Sequence, residues 1–326
     1  MFYKDRDIPY KLKAEEALIR RLDVNHPKLP LIEEEYRKKL AGLRGEKELE
    51  YHLSFLKDNN YLIINDLRLQ HGVHFFQIDS LLLSPSVSFI IDSKNIAGTI
   101  VFDHEFNQCI RIFNEKEEGI RDPFTQVQRH VRLLSQWLDD HNLPSLNLEY
   151  LIAISRPSTI IKSKGNNSYN NFRVVQAGHL IARIIDLEKR YLKEITTIKE
   201  TKRIAKQLVK YHVPFKPNIF DTYSIHPDDV RKGVQCPECK AISMHKIHGS
   251  WYCPVCQTSS KTAHILALSD YYFLYGNTIT LSQFSDFLLI PISKRKSASS
   301  FLISLSLPCA GSKKGRVYDL TPLIEK

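Results

Sequence analysis

Two cysteine pairs place the tightest constraint on how this chain can fold. Cys236 and Cys239 form one Cys-x-x-Cys pair, Cys253 and Cys256 form the second, and thirteen residues lie between the pairs. Each pair can present two thiolates to one tetrahedral metal ion, and this spacing is typical of a zinc ribbon, with a redox motif or chance pairing as the alternative. We predict a zinc ribbon at 233–260 with a structural Zn²⁺, because four thiolates leave no position open for catalysis.

The charge and composition narrow the class of partner. The 326 residues carry a net charge of +10 and are 43% hydrophobic. These values favour a globular protein that binds a polyanion, most often nucleic acid, with an anionic membrane surface as the alternative. Metal-binding cysteines indicate a reducing, cytoplasmic location. We predict no membrane segment, because no apolar run approaches about 18 residues, and no secretory signal, because residues 1–16 are charged throughout. Gly-rich phosphate loops and the Gly-x-Ser-x-Gly elbow are absent, so neither a nucleotide cofactor nor a serine hydrolase is predicted.

The hydrophobic pattern between residues 33 and 213 predicts an α/β domain with a mixed sheet flanked by helices. A helix is expected from about Ile32 to Lys57, followed by β-branched and aromatic runs between 61 and 113 that indicate a strand meander. Asp122 is the expected N-cap of a helix that reaches about His141. Further predicted elements are a buried strand at Leu148–Ser155, a loop at 156–171 and helices at 177–195 and 197–211. Residues 1–32 are predicted to form an N-terminal arm, with a loosely packed helix as the alternative, and Pro214–Asp228 is a linker candidate.

Three carboxylates and a lysine are predicted to converge in this domain. Glu46 lies within the apolar stripe of its helix, where a carboxylate is costly unless it is paired. If the strands at 75–83 and 87–94 form a hairpin centred on Pro85-Ser86, paired positions sum to 171, and Asp79 stands opposite Asp92 at about 5 Å. Like charges at that distance repel, and a divalent cation removes the conflict. Lys94 shares the face of Asp92. The alternative is that Glu46 reaches solvent and both aspartates are solvated strand-end residues.

A family resemblance rests on these same residues. It is carried by Gly45-Glu46, Phe76–Asp79, Asp92–Asn95, Gly98, Pro123 and Gln126. This set resembles the NERD (nuclease-related) domain over about residues 33–150, and that family is similar to the PD-(D/E)XK nuclease superfamily. The resemblance implies a restriction-endonuclease-like sheet with a Mg²⁺ (or Mn²⁺) site. It further implies that Glu46, Asp79 and Asp92 are metal ligands with the Ser93 carbonyl, that Lys94 is the catalytic lysine, and that Gln126 lies beside the site.

The segment 262–326 is predicted to form a helix-turn-helix-like basic module. Thr280–Gln283 is a capping-box pattern, and Ser293 is the expected N-cap of a second helix whose apolar face contains Phe301 and Leu302. Residues 291–326 carry seven Lys or Arg and two acidic residues, which is half of the net charge. Gly311–Tyr318 resembles the wing of a winged-helix domain, and a helical cap with a solvated charged face is the alternative. The predicted nucleic-acid contacts are Lys294, Arg295, Lys296, Lys313, Lys314 and Arg316.

Three functional hypotheses follow from these features. The first is a metal-dependent nuclease whose C-terminal modules tether it to nucleic acid. DNA is the first choice of substrate. The second is a non-catalytic DNA-binding or regulatory protein on a nuclease-like fold, and the third is a protein-interaction adaptor that uses the ribbon. The sequence leaves open the strandedness of the substrate, internal against terminal cutting, and the oligomeric state.

Overall fold

A computed structural model describes residues 2–56, 61–165, 168–312 and 315–324. The chain divides into two compact units, Met1–Ile8 with Lys38–Phe215, and Pro9–Arg37 with Lys216–Lys326. Among the described residues, no helix has the length and apolar character that crossing a lipid bilayer requires.

The elements follow one another along the chain. Up to residue 215 they are β1 (Phe2–Lys4), α1 (Tyr10–Arg21), α2 (Leu29–Leu53), β2 (Leu62–His71), β3 (His74–Leu83), β4 (Ser88–Lys94), β5 (Thr99–Asp103), β6 (Gln108–Phe113), β7 (Lys116–Ile120), α3 (Pro123–Asp140), β8 (Leu148–Ile154), β9 (Ile160–Lys164), α4 (Ser168–Arg173), β10 (Val174–Gln176), α5 (Leu180–Glu188) and α6 (Ile198–Lys210). The remainder are α7 (Ile219–Tyr223), β11 (Val234–Gln235), β12 (Ile242–Lys246), β13 (Trp251–Tyr252), β14 (Ser259–Ser260), α8 (Ala263–Tyr275), β15 (Thr278–Thr280), α9 (Leu281–Phe287), α10 (Arg295–Ser304), β16 (Cys309–Ala310), β17 (Val317–Asp319) and α11 (Thr321–Ile324).

A six-stranded mixed sheet organises the first unit. Its strand order is β1-β2-β3-β4-β8-β10. Strands β2, β3 and β4 form an antiparallel meander, whereas β8 lies parallel to both β4 and β10. Alternate side chains of β4 point to opposite faces of the sheet and pack into two cores. Ile90 packs with residues of α3 and α6, and Ile91 packs with residues of α2 and α5. The predicted α/β class with a mixed sheet between helices is confirmed.

The hairpin between β3 and β4 has the predicted register. The pairs Ser80 with Ile91, Leu81 with Ile90 and Leu82 with Phe89 each sum to 171. In a hairpin the turn sets the register, and here the turn lies around Pro85-Ser86 between β3 and β4. The register places Asp79 and Asp92 at the same end of the hairpin, one step beyond the last paired residues.

The predicted loop at 156–171 is wrong, because it contains β9 and the start of α4. Strand β9 lies at the edge of a second sheet with order β7-β6-β5-β9 and pairs in parallel with β5. Ile161 packs against the core, while Lys162 and Lys164 are exposed. An edge strand with one buried position has a weak period-two signal, which explains why its polar sequence indicated a loop. The predicted helix at 177–195 is also shorter, since α5 ends at Glu188.

The N-terminal residues and the linker candidate both contain packed secondary structure. Residues 2–4 form a strand of the main sheet, and α1 buries Leu12, Ala14 and Leu18. In the predicted linker, α7 buries Ile219 and Phe220 in the same core as α1. Charged residues fill the exposed face of α1, so its narrow apolar stripe is not evident from composition.

The second unit joins the ribbon and the helical module in one hydrophobic core. Strands β11 to β14 form the ribbon sheet, and β15, β17 and β16 form a second small sheet behind α8, α9 and α10. The capping box at Thr280 is present, but α10 begins at Arg295 after a 3₁₀ turn, so the predicted N-cap at Ser293 is wrong. Lys313, Lys314 and the side chain of Arg295 lie outside the described part of the structure.

Candidate catalytic cluster and metal centres

Asp92, Lys94 and Gln126 form a closed cluster in the first unit. The first two lie two residues apart on β4 and therefore share a face. Lys94 Nζ lies 2.6 Å from Asp92 Oδ2 and donates to Gln126 Oε1 at 3.2 Å, while Gln126 Nε2 donates to Asp92 Oδ1 at 3.0 Å. Gln126 lies in the first turn of α3, which Asp122 caps through the backbone N–H groups of Phe124 and Thr125. The cap and the strand together fix the three side chains.

Asp79 joins this cluster through the backbone of the neighbouring strand. Its Oδ2 accepts a hydrogen bond of 2.8 Å from the N–H of Ser93. The backbone pairing of β3 with β4 ends at Ser80 and Ile91. Beyond that pair, the carboxylate of Asp79 acts as the hydrogen-bond acceptor on the β3 side. The N–H of Ser93 thus contacts Asp79, and the predicted role of the Ser93 carbonyl as a metal ligand stays a prediction.

Glu46 is brought to the site by a close approach of α2 to the ends of β4 and β8. Gly45 makes this approach possible, because a Cβ at this position would lie 2.4 Å from Ser155 Oγ and 2.8 Å from Asn95 Cβ. The carboxylate Oε2 of Glu46 accepts a hydrogen bond of 2.7 Å from Arg6 Nη1. Arg6, in the N-terminal segment, therefore provides the counter-charge that Glu46 requires on the apolar stripe of α2.

The electrostatics of the site connect the three carboxylates. Asp92 is 2% exposed, and burial together with the negative charge of Asp79 raises the pKa of its carboxyl to about 7. Burial and the same Asp79 charge raise the pKa of Glu46 to about 7 as well. Lys94 and Arg6 oppose these shifts. Asp79 is thus close enough to disfavour the charged forms of both other acids, which is the conflict that a bound cation relieves.

The donor set fits a hard divalent cation, although the ligands are not drawn together. Asp92 Oδ2 is buried and accepts no hydrogen bond from the described residues, so the ammonium of Lys94 is its counter-charge. Carboxylate oxygens are the preferred ligands of Mg²⁺ and Mn²⁺. However, the four cysteines are the one set of three or more described His, Cys, Asp or Glu residues whose ligand atoms all lie within 4.8 Å of one another. Binding at the acidic site therefore requires side-chain rotation.

The cysteine cluster is already arranged as a tetrahedral site. Cys236 Sγ lies 3.5 Å from Cys256 Sγ, and Cys239 Sγ lies 3.6 Å from Cys253 Sγ. Four sulfurs at the usual Zn–S bond length would be about 3.8 Å apart, so an ion fits with small adjustments. A hydrogen bond with Ser243 and backbone N–H donors lower the pKa of Cys253 to about 6, which favours the thiolate that binds metal. The four predicted ligands are brought together.

Two equivalent backbone turns build this cluster. In the first, Lys240 N–H donates to the carbonyl of Cys236, and in the second Gln257 N–H donates to the carbonyl of Cys253. Lys240 and Gln257 each follow the last cysteine of their pair and adopt left-handed φ values of 61° and 60°. The local chain conformation therefore shapes each turn, and the pairing of β11 to β14 brings the two turns together.

The predicted nucleic-acid contacts lie on the second unit. Lys294, Lys296 and Arg316 are exposed, and Lys294 Nζ also donates to the carbonyl of Lys246 at 3.3 Å. Behind them, Ala298 and Leu302 of α10 are buried. The hairpin of β16 and β17 pairs Ala310 with Val317 and so closes the segment that contains Arg316. The side chains of Lys296 and Arg316 are thus exposed cationic groups on this unit.

Residues 41–155 match the family model of the nuclease-related domain, NERD. All of Glu46, Asp79, Asp92, Lys94 and Gln126 fall inside the NERD segment. The chain is also similar to an uncharacterized protein of Bacillus anthracis, with 22% identity over 187 residues that cover 56% of this chain and 86% of that protein. No solved structure matches the chain significantly.

Sequence reasoning missed one group that contacts the NERD site. Arg6 contacts both Glu46 and Glu50 and lies outside the matched segment. The signal available was the position of Glu46 on an apolar stripe, which requires a nearby cation or proton. That signal does not say which of the 46 lysines and arginines supplies the charge, because the contact crosses forty positions of sequence.

Proposed function

We propose that the NERD unit is a metal-dependent nuclease that hydrolyses phosphodiester bonds of nucleic acid, with DNA as the first substrate to test. The observation that carries this proposal is the closed cluster of Asp92, Lys94 and Gln126, to which Asp79 is attached through the Ser93 N–H. A buried carboxylate paired with an ammonium beside further carboxylates is costly for a purely structural role. The nuclease-related family match at 41–155 supports the same chemistry.

Each residue has a chemical role in this proposal. Glu46, Asp79 and Asp92 hold Mg²⁺ or Mn²⁺, with the Ser93 carbonyl as a further ligand, and a bound ion supplies charge neutralisation at the phosphate and a water of lowered pKa. Lys94 Nζ holds the attacking water or neutralises the developing negative charge. Gln126 orients Lys94 and Asp92, because its side-chain amide contacts both residues at the same time.

A cleavage assay tests the catalytic claim. Zinc-loaded protein is incubated with Mg²⁺ or Mn²⁺ and plasmid, linear duplex, single-stranded DNA or RNA. We expect metal-dependent cleavage of at least one form that EDTA stops. If the site supplies about 4 kcal/mol of transition-state stabilisation, Asp79→Asn slows cleavage by about 1,000-fold. The exposed Asp139→Asn, on α3 of the same unit, is the matched control and should cut at the wild-type rate.

We further propose that the second unit holds the nucleic acid. Lys294, Lys296 and Arg316 are exposed, and Arg295, Lys313 and Lys314 belong to the same predicted set. If the basic residues neutralise about five phosphates, log K should fall with a slope near about −4.5 against log salt. Lys296→Ala and Arg316→Ala should each reduce that slope by about 0.9. A flat salt response would remove the nucleic-acid proposal.

Free thiols at all six cysteines suit a reducing cytoplasmic location for this activity.

Non-catalytic nucleic-acid binding is the second candidate. It is favoured by the finding that the three carboxylates are not drawn into a preformed cation site, unlike the four cysteines. The same assay separates the two candidates. Salt-dependent binding without cleavage by wild type and Asp79→Asn alike would establish the binding role, whereas the adaptor hypothesis requires that neither binding nor cleavage is seen.

A further inference from the structure

We propose that Arg6 is a positioning residue that holds Glu46 in place as a ligand of the divalent cation. This inference rests on the proposed nuclease function. It extends the acidic site beyond the matched segment 41–155, because it makes the N-terminal strand of the first unit part of the metal centre.

The guanidinium of Arg6 is clamped on three sides. Its Nη1 donates to Glu46 Oε2 at 2.7 Å, its Nε donates to Glu50 Oε1 at 2.9 Å, and its Nη2 donates to the carbonyl of Asp79 at 2.7 Å and to Ser80 Oγ at 3.4 Å. One side chain thus ties α2 to β3 at two residues of the acidic site. Its planar fork suits this arrangement, because the donors are held in fixed directions.

The contacts favour positioning over binding of substrate. The Arg6 side chain is 2% exposed, and four of the five guanidinium N–H groups are engaged, so no face is left for a phosphate. The Glu46 side chain is 27% exposed. Among the described residues no hydrogen bond reaches its Oε1, so that oxygen is available to a cation while Oε2 stays with Arg6.

The N-terminal segment is anchored independently of Arg6. Strand β1 pairs in parallel with β2, at Phe2 with Ile63 and Lys4 with Ile64, and Lys4 Nζ donates to the carbonyl of Asn65 at 3.1 Å. The anchoring places Arg6 beside Glu46 and Glu50, which lie one helical turn apart on α2 and would otherwise repel each other. Partners that orient a metal ligand in this way are worth about 10–100-fold in metal affinity.

The test measures Mn²⁺ affinity in the full-length, zinc-loaded protein by electron paramagnetic resonance. We expect Arg6→Ala to weaken Mn²⁺ binding by about 10–100-fold. Arg6→Lys should recover part of the affinity, because it restores the charge without the fork. Arg132→Ala is the matched control: it removes an exposed guanidinium on α3 of the same unit that does not contact Glu46, and should bind Mn²⁺ as wild type does. Circular dichroism and thermal unfolding of each variant confirm that the folded protein is being compared.

The outcomes separate this inference from the function on which it rests. Wild-type affinity in folded Arg6→Ala would overturn the inference and leave Arg6 as a strand anchor. Tighter binding by Arg6→Ala would also overturn it, because the guanidinium would then be a competitor of the cation for Glu46. Absence of Mn²⁺ binding by wild type would overturn the proposed metal centre itself, and with it the role of Arg6.

Discussion

The cysteine cluster and the acidic site solve the same problem, the gathering of like-charged ligands, in different ways. The thiols come from two turns that the local backbone builds, and their sulfurs already lie 3.5 and 3.6 Å apart in pairs. The carboxylates come from α2, β3 and β4, and the protein holds them with its own cations, Arg6 and Lys94. The first site already has its ligand atoms close together, whereas the carboxylates of the second must be drawn closer by side-chain rotation before they can share an ion.

The two sites therefore differ in how far their stability in the folded protein depends on a bound ion. At the cysteine cluster a bound ion would supply most of the stabilisation, because four thiolates brought this close together repel one another. The acidic site persists without an ion because burial and the charge of Asp79 keep Glu46 and Asp92 partly protonated near neutral pH. Removal of the metal should therefore unfold one site and leave the other folded but altered in its titration.

Loss of the zinc ligands should give the largest effect. Structural zinc contributes on the order of 10–16 kcal/mol to small cysteine modules, so Cys253→Ser should abolish folding of the ribbon. Because the ribbon shares its core with α8, α9 and α10, proteolysis should cut the second unit while the first stays resistant. Limited proteolysis and zinc content measure this result.

Cys309→Ser provides the control for that experiment. Cys309 is an exposed thiol outside the cluster, and its loss should leave zinc content and protease resistance unchanged. A Cys253→Ser protein that keeps both properties would show that the cluster is not a structural metal site.

The acidic site should reveal itself in the pH dependence of stability without divalent cation. Because the pKa of Asp92 is raised from 3.8 to about 7, the folded state holds its proton longer than the unfolded state, and the unfolding free energy should fall as pH rises from about 4 to 7. Asp92→Asn removes this component, so the variant should gain a few kcal/mol relative to wild type across that window. Urea unfolding at several pH values measures the difference.

Subtracting the unfolding free energy of wild type from that of Asp92→Asn at each pH cancels the contribution of two buried histidines. Burial lowers the pKa of His130 and of His264 to about 4, which makes the folded state less stable in acid in both proteins. A wild-type and variant difference that is independent of pH would contradict the account of Asp92.

The close approach of α2 should be sensitive to a single methyl group. Gly45→Ala places a Cβ 2.4 Å from Ser155 Oγ and 2.8 Å from Asn95 Cβ, so α2 must move away and stability should fall by about 1–3 kcal/mol. The same shift moves Glu46, so Mn²⁺ affinity should fall as well. Gly42→Ala, whose added Cβ meets nothing within 4 Å, is the control and should leave stability and Mn²⁺ affinity near or above wild type.

The smallest effect is expected in the turns of the cysteine cluster. Lys240 has a φ of 61°, a conformation that costs a non-glycine residue about 1–2 kcal/mol, so Lys240→Gly should be neutral or stabilising by up to about 1 kcal/mol. Lys240→Val should be destabilising by a similar amount. Thermal unfolding of zinc-loaded protein measures both, and equal stability of the two variants would argue against a left-handed residue at this turn.

The same contrast explains how far the sequence predicts the sites. The thiol ligands follow from spacing alone, since both turns are local. The hairpin register also follows from sequence, because a turn centred on Pro85-Ser86 gives the 171 pairing, and the facing of Lys94 and Asp92 follows from strand alternation. Arg6 could not be predicted, because its contacts depend on β1 joining the edge of the sheet beside β2.

The fold shows the same limit. The elements with strong periodicity, such as β3, β4, α3 and β8, lie where the pattern predicted them. The elements that were missed, β1, β9 and α7, are short and gain their order from neighbours that are distant in sequence. Local pattern carries little information about such elements, because tertiary pairing rather than propensity stabilises them.

The central claim is that carboxylates from α2, β3 and β4 converge on one divalent cation. Anomalous diffraction from crystals of zinc-loaded protein soaked in Mn²⁺ tests it most directly. We predict one manganese peak about 2.1 Å from carboxylate oxygens of Glu46, Asp79 and Asp92, which is lost in Asp92→Asn, with zinc retained at the four cysteines. Crystals that show zinc at the cysteines and no manganese between the three carboxylates would contradict the account.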